Sequence, residues 1–214
     1  MKAKSQALQT LPVRQIGLAV LALALALSLW LVVAAPQAQA ATVKLDGTRT
    51  TLTTDPGTTT ALFSAGIIPL PVWPTPVVPT SDAAQYTFPI TGGAVDAKTL
   101  AGSIRHSGGL LLAQRTSTNG WKSLGLTSFT INITGSPNLT AKVNGGARAE
   151  VATLDLGSAK ITKFTRNGRA YVHIANVGVT LNATATGAIN ATFGTSLPGS
   201  VKLGTADVLA RVAR

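Results

Sequence analysis

The chain has 214 residues, no cysteine and a formal net charge of +11. The missing thiols exclude a disulfide scaffold, a Cys-based zinc site and a thiol enzyme. A charged fraction of only 12% excludes a long coiled coil, which needs far more Glu, Lys and Arg. Hydrophobic residues make up 45% but aromatics only 5%, so a core has to be built from Val, Leu, Ile, Ala and Thr.

Residues 1–40 have the order of a secretory signal. Lys2, Lys4 and Arg14 precede an uncharged apolar run from Ile16 to Ala35, and Ala38-Gln39-Ala40 offers the small residues of a cleavage site. Ala41 is then the expected mature N-terminus. The run is also about long enough to span a bilayer, so an uncleaved anchor is the alternative. A lipoprotein anchor is excluded, because lipidation needs a cysteine. The leader holds three of the eighteen Lys and Arg and none of the seven Asp and Glu, which leaves the mature chain at +8. These cations are scattered, with no Lys/Arg run and no aromatic-interleaved motif, so nucleic acid is not an expected partner.

Residues 41–214 read as a single Thr/Gly/Val-rich domain of short strands. Thr42 to Thr53 alternates as a strand. Asp55-Pro56 then supplies a cap and a first-turn proline for a short helix over Pro56 to Ala65, stopped by Gly66. Prolines at 69, 71, 74, 76 and 79 make 67–80 an extended, exposed connector outside the sheet, whose Trp73 either packs on the body or meets a partner. Tyr86 to Ile90 resumes strand character, with Pro89 marking an edge or strand end. Leu110 to Gln114 forms a short strand. In Trp121 to Thr134 the apolar phase switches between Leu124/Leu126 and Phe129/Ile131/Ile133, which predicts a bulge near Thr127-Ser128. Further strands follow at Leu139 to Val143 and Ala152 to Leu156.

Asn167-Gly168 is the favoured two-residue hairpin turn. It sets Arg166 opposite Arg169, Phe164 opposite Tyr171 and Thr162 opposite His173. Phe164, Tyr171 and His173 then share one face, and Ile161, Val172 and Ile174 the other. Apolar groups on both faces imply cover on both sides, or a ligand on one. Asn182 to Phe193, stopped by Gly194, reads as a second short helix, and Val201 to Val212 as the last strand. Four Asn-x-Thr triplets, at Asn132, Asn138, Asn182 and Asn190, are what a Thr-rich composition produces.

The order FPITGGAVD at Phe88 to Asp96, then GSIRHSGGLLL at Gly102 to Leu112, then an SFTI and an LTAKV strand, resembles the HtaA-like domains of Gram-positive bacterial cell envelopes. The resemblance covers roughly Tyr86 to Leu156. It implies a β-rich, cell-surface haem-uptake module that holds haem through an axial Tyr supported by a His and a Ser. His106 falls where the family's Gly-rich motif places its histidine, with Ser107 beside it. The family's opening segment, with its Trp and axial Tyr, corresponds here to Lys44 to Thr54, which has neither residue.

Haem needs an axial ligand and an apolar pocket. Tyr171 and His173, with Phe164 beside them and Arg166 or Arg169 near enough for propionates, form a candidate pocket wall. The alternative is a hydrogen-bonded Tyr/His pair on an ordinary sheet. A paired-glutamate hydrolase is excluded by the single Glu150. Asp96 and His106, with Ser103 or Ser107, are the nearest thing to a triad, and Ser107 lacks the G-x-S-x-G elbow. Two distant histidines give no metal-ligand spacing. The expectation is a mainly β domain, an antiparallel β-sandwich or partly open barrel with two short helices. It is exported and non-enzymatic, with His106, Ser107, Tyr171 and His173 as ligand-binding candidates and haem as the leading cofactor. The competing reading is an envelope structural or interaction protein that contacts anionic cell-wall polymers without a cofactor.

Overall fold

The computed structural model describes residues 41–118 and 120–214, so the expected leader at 1–40 lies outside the described residues. The first strand, β1 (Thr42–Thr54), leads into α1 (Pro56–Ser64), then β2 (Ile67–Val72), β3 (Val77–Pro79) and β4 (Ala84–Asp96). After these come β5 (Gly102–His106), β6 (Gly109–Arg115), β7 (Trp121–Ile133), β8 (Asn138–Val143) and β9 (Arg148–Asp155). The hairpin β10 (Lys160–Arg166) and β11 (Arg169–Leu181), then α2 (Ala183–Phe193) and β12 (Val201–Val212), complete the chain.

Eight strands close into an antiparallel barrel in the order β7-β5-β4-β1-β12-β11-β9-β8, and β8 pairs back onto β7 through Ile131 opposite Leu139. Closure removes the two free edges that an open sheet or sandwich would leave in this wall. It is achieved by four 13-residue strands, β1, β4, β7 and β11, and by bulges that bend them. The register slips at Leu45/Gly47, Ile90/Gly92, Thr127/Thr130 and Ile174/Val177. The bulge expected near Thr127-Ser128 is the third of these, with Ser128 at φ 53°. The expected β fold with two short helices is present, and the barrel is closed.

Four short strands extend this wall. β6 pairs with the first half of β7, and β2 with β6, so that β2-β6-β7 projects as a flap. β3 lies on β4, and β10 on the first half of β11. The segment 67–80, expected as a connector outside the sheet, therefore holds two strands. Its prolines are accommodated because β2 is an edge strand, where the missing N–H groups face away from the ladder.

Pro89 corrects a second expectation, because β4 is an interior strand between β1 and β5. The Pro89 carbonyl accepts from Ser107 N, so its donor-less nitrogen points to that same side. There the ladder is open. The β3 pairing stops at Tyr86 and the β5 pairing starts at Ile90.

α2 stops at Gly194 as the sequence predicts, and Asn182, expected as its first residue, is its N-cap. Asn182 accepts from Ala185 N at 3.0 Å, and Gly194 ends the helix at φ 74°. Ala185, Ile189 and Phe193, four apart, form one buried stripe against the barrel. Replacing Asn182 with alanine leaves that helical donor unmet, and is expected to lower stability by about 1 kcal/mol in a urea titration. α1 differs: Asp55 caps it through Gly57 N and Thr58 N, yet none of its residues is buried.

Candidate functional site

Inward side chains of a barrel alternate with outward ones. In β1, β4 and β5 the inward set includes Thr50, Leu52, Phe88 and His106. With Ile131, Val179 and their neighbours they enclose a cavity of about 360 Å³. Its wall is aliphatic and aromatic, with Phe88 and Phe129 in edge-to-face contact at 5.1 Å. The upper end is lined by Gly57, Thr58, Ala61 and Leu62 of α1 and by Leu197, Pro198 and Ser200. Of these, Gly57, Ala61, Pro198 and Ser200 are exposed, so the cavity reaches the surface between α1 and the 198–200 segment.

That segment is held by Asn190. Its side-chain oxygen accepts from Leu197 N at 2.8 Å and from Thr195 Oγ1 at 2.7 Å, and its amide donates to the Leu197 carbonyl at 2.9 Å. Asn190→Ala removes all three bonds. The expected result is a loss of about 1–2 kcal/mol, with faster hydrogen exchange at residues 195–201 than elsewhere.

His106 lies deep in the lumen, 5% exposed. Its Nδ1 is 3.2 Å from the Phe129 carbonyl, which only accepts, so Nδ1 carries the proton. Nε2 then accepts from the Thr50 hydroxyl at 2.7 Å. Burial lowers the pKa from 6.5 to about 4, against the smaller opposing effect of the Phe129 carbonyl. The imidazole is neutral at pH 7 and both its nitrogens are engaged. The lumen's deepest polar groups thus satisfy each other and the Phe129 backbone, and leave an apolar surface for a guest. Polar atoms line the mouth instead: Asp55, ion-paired with Lys202 at 3.2 Å, Thr58 and Ser200.

The four candidate site residues are not brought together. His106 faces the lumen. Ser107 sits in the β5–β6 connection, its N–H donating to Pro89 at 3.0 Å. Tyr171 and His173 alternate with buried Val172 and Ile174, and face outward. The hairpin has the predicted register, with Arg166, Phe164 and Thr162 opposite Arg169, Tyr171 and His173. Phe164 and Tyr171 stack at 5.3 Å with rings 9° from parallel. Of the two alternatives expected for this hairpin, cover on both sides does not hold: every residue of β10 is exposed, and only the Val172/Ile174 face of β11 is buried.

Arg169 is drawn away from any ligand role. It donates to Asp46 at 2.5 Å, and Arg211 donates to the other carboxylate oxygen at 2.6 Å. Hydrogen bonding from Arg211 is the largest influence that holds the Asp46 pKa below its usual value.

Asp96 accepts from Lys98 N and from Thr99 N and Oγ1, closing the β4–β5 turn, while His106 bonds Thr50 and Phe129. No group of three or more His, Cys, Asp or Glu residues able to hold a metal occurs among the described residues. Sequence reasoning missed the lumen lining itself. Its signal was the run of alternating aliphatics, which show a buried face without showing whether the space behind it is filled.

No protein-family model matches the chain, and no curated protein matches it. Solved structures similar to this chain include two from one organism. The C-terminal domain of HtaA from Corynebacterium glutamicum is 16% identical, with 80% of this chain and 99% of that domain covered at a TM-score of 0.54. The heme binding protein HtaB from the same organism is 14% identical over 80% of this chain and 95% of its own, at a TM-score of 0.48. At such identities the likeness is one of fold, and the described residues share the fold of the HtaA C-terminal domain.

Proposed function

We propose that this chain is an exported, non-enzymatic binding module whose ligand is a small amphipathic molecule, with an apolar body in the barrel lumen and a polar end at its mouth. One observation carries the reading: a cavity of about 360 Å³ with an aliphatic and aromatic wall, whose two deep polar side chains, Thr50 and His106, bond each other and whose other polar groups sit at the end that meets solvent. This is the size and character of small-molecule sites. His106 supports it, because the neutral imidazole is hydrogen-bonded at both nitrogens and so presents no charge and no unmet polar atom to an apolar guest.

The test is titration with a fluorescent fatty acid, alongside native mass spectrometry of the purified chain. Ala206 is buried and lines the cavity. Ala206→Phe fills the lumen and is expected to weaken probe binding at least tenfold while the thermal midpoint holds or rises. Ala206→Leu is expected to give a smaller effect of the same sign. Probe affinity unchanged in both variants would sink the reading.

Haem is the second reading, and the outer face supports it better than the lumen. There the Phe164–Tyr171 stack offers a phenol oxygen and an aromatic surface, with His173 two residues along. Tyr171 would hold a bound haem through its phenol oxygen, and the haem would supply the iron that this oxygen ligates. Haemin titration separates the two: a Soret band lost in Tyr171→Phe and retained in Ala206→Phe supports haem on this face.

A further inference from the structure

Large apolar side chains that remain exposed concentrate in one stretch of the chain. Phe63 is in the last turn of α1, Ile68 and Leu70 lie on β2, Trp73 is 91% exposed in the turn after it, and Val78 is on β3. The flap register adds Trp121, 64% exposed. Ile68 pairs with Ala113 and Leu70 with Leu111, while Trp121 pairs with Arg115, two residues along β6 from Ala113. Ile68, Leu70, Leu111 and Trp121 therefore share the outer face of β2-β6-β7.

Charge is distributed to match. Residues 56–81 carry no charge at all. From 97 to 149 there are six Lys and Arg and no Asp or Glu, and two of the six lie on the other flap strands, β6 and β7. Two of these cations, Arg115 and Lys122, flank Trp121. The free edge of β2 is a poor template for another strand, because Pro69 and Pro71 have no N–H to donate.

We propose that the α1–β3 segment and the outer face of the flap dock on an anionic phospholipid bilayer. Exposed tryptophans and aliphatics would enter the headgroup–acyl boundary, with Arg115 and Lys122 beside the anionic headgroups. α1 carries both Phe63 and some of the cavity lining, so docking sets the lumen's mouth beside the bilayer. Resting on the lumen reading, the inference names the ligand source: acyl chains of membrane lipids.

The chain has no cysteine, so one substitution places one thiol dye. Ser123 is exposed and points outward between Trp121 and Gly125, at the centre of the patch. Thr165, exposed on β10, is the control. In the full chain, an environment-sensitive dye on Ser123→Cys is expected to shift to the blue with phosphatidylglycerol vesicles, weakly with phosphatidylcholine vesicles, and not at all on Thr165→Cys. Adding Trp73→Ser and Trp121→Ser is expected to weaken the response about tenfold or more. Adding Ala206→Phe is expected to leave it intact, which separates docking from lumen binding.

An absent shift, an equal shift at Thr165, or a response untouched by the double tryptophan variant overturns the proposal. So does an equal response to a soluble polyanion without lipid, which assigns the surface to an anionic polymer. Self-association abolished by Trp73→Ser assigns it to a second copy, and likewise overturns the bilayer.

Discussion

Gly93→Val is expected to leave the chain without a cooperative unfolding transition. Gly93 has φ 131°, a conformation that L side chains rarely adopt. A Cβ built there falls 2.2 Å from the Ser103 carbonyl oxygen, which belongs to the neighbouring strand. The clash is reciprocal, because a Cβ on Gly102, at φ 146°, falls 2.1 Å from the Ala94 carbonyl oxygen. β4 and β5 can pair here only through two glycines. Either substitution would strain the backbone by about 1–3 kcal/mol and also push β4 and β5 apart, so a total cost above about 3 kcal/mol is expected. Circular dichroism and a urea titration of Gly93→Val and Gly102→Val check this. Native-like midpoints in both would show that the strands can separate without loss of the barrel.

Acidification from pH 6.5 to pH 4 is expected to cost about 3 kcal/mol of stability through His106 alone. The imidazole pKa is about 4 in the fold and near 6.5 in the unfolded chain, with burial as the main cause. Between these values the unfolded state binds the extra proton, so stability falls as pH falls. The contribution is intact above about pH 6.5 and fully lost below about pH 4. Asp46, Asp55 and Asp96 also have lowered pKa values, through Arg211, Lys202 and Thr99 respectively. As depressed carboxylates they add to the decline as pH falls through their ordinary range near 3.8, overlapping only the acid end of the His106 window. Urea titrations at pH 7 and 4.5 test this. His106→Gln, which retains an amide for Phe129 and Thr50, is expected to be less stable at pH 7 but to lose little more at pH 4.5. Parallel losses in wild type and variant would remove His106 as the cause.

Local chemistry was legible in the sequence wherever neighbouring residues decided the outcome. Asn167-Gly168 dictates a tight turn with both residues at positive φ, and the observed values of 51° and 68° follow with the whole register of β10 and β11. Asp55-Pro56 and Gly194 mark helix ends because a cap is a contact within four residues. The phase switch at Thr127-Ser128 marks its bulge for the same reason. Alternation also put Phe164, Tyr171 and His173 on one face.

What alternation could not show is which face looks inward, and that depends on which strands become neighbours. Only folding brings β8 back to β7, sets His106 against Thr50 from 56 residues away, and lays a proline-rich stretch along a sheet edge. It also puts the glycines of the TGGAVD and GSIRH segments to use in strand approach. The β-rich composition, the caps, the turn and the periodicity were readable residue by residue, because those are short-range steric and hydrogen-bonding requirements. The lumen and its mouth are long-range products. A closed barrel sets residues far apart in the chain around one space, and the volume left over depends on how all their side chains pack together.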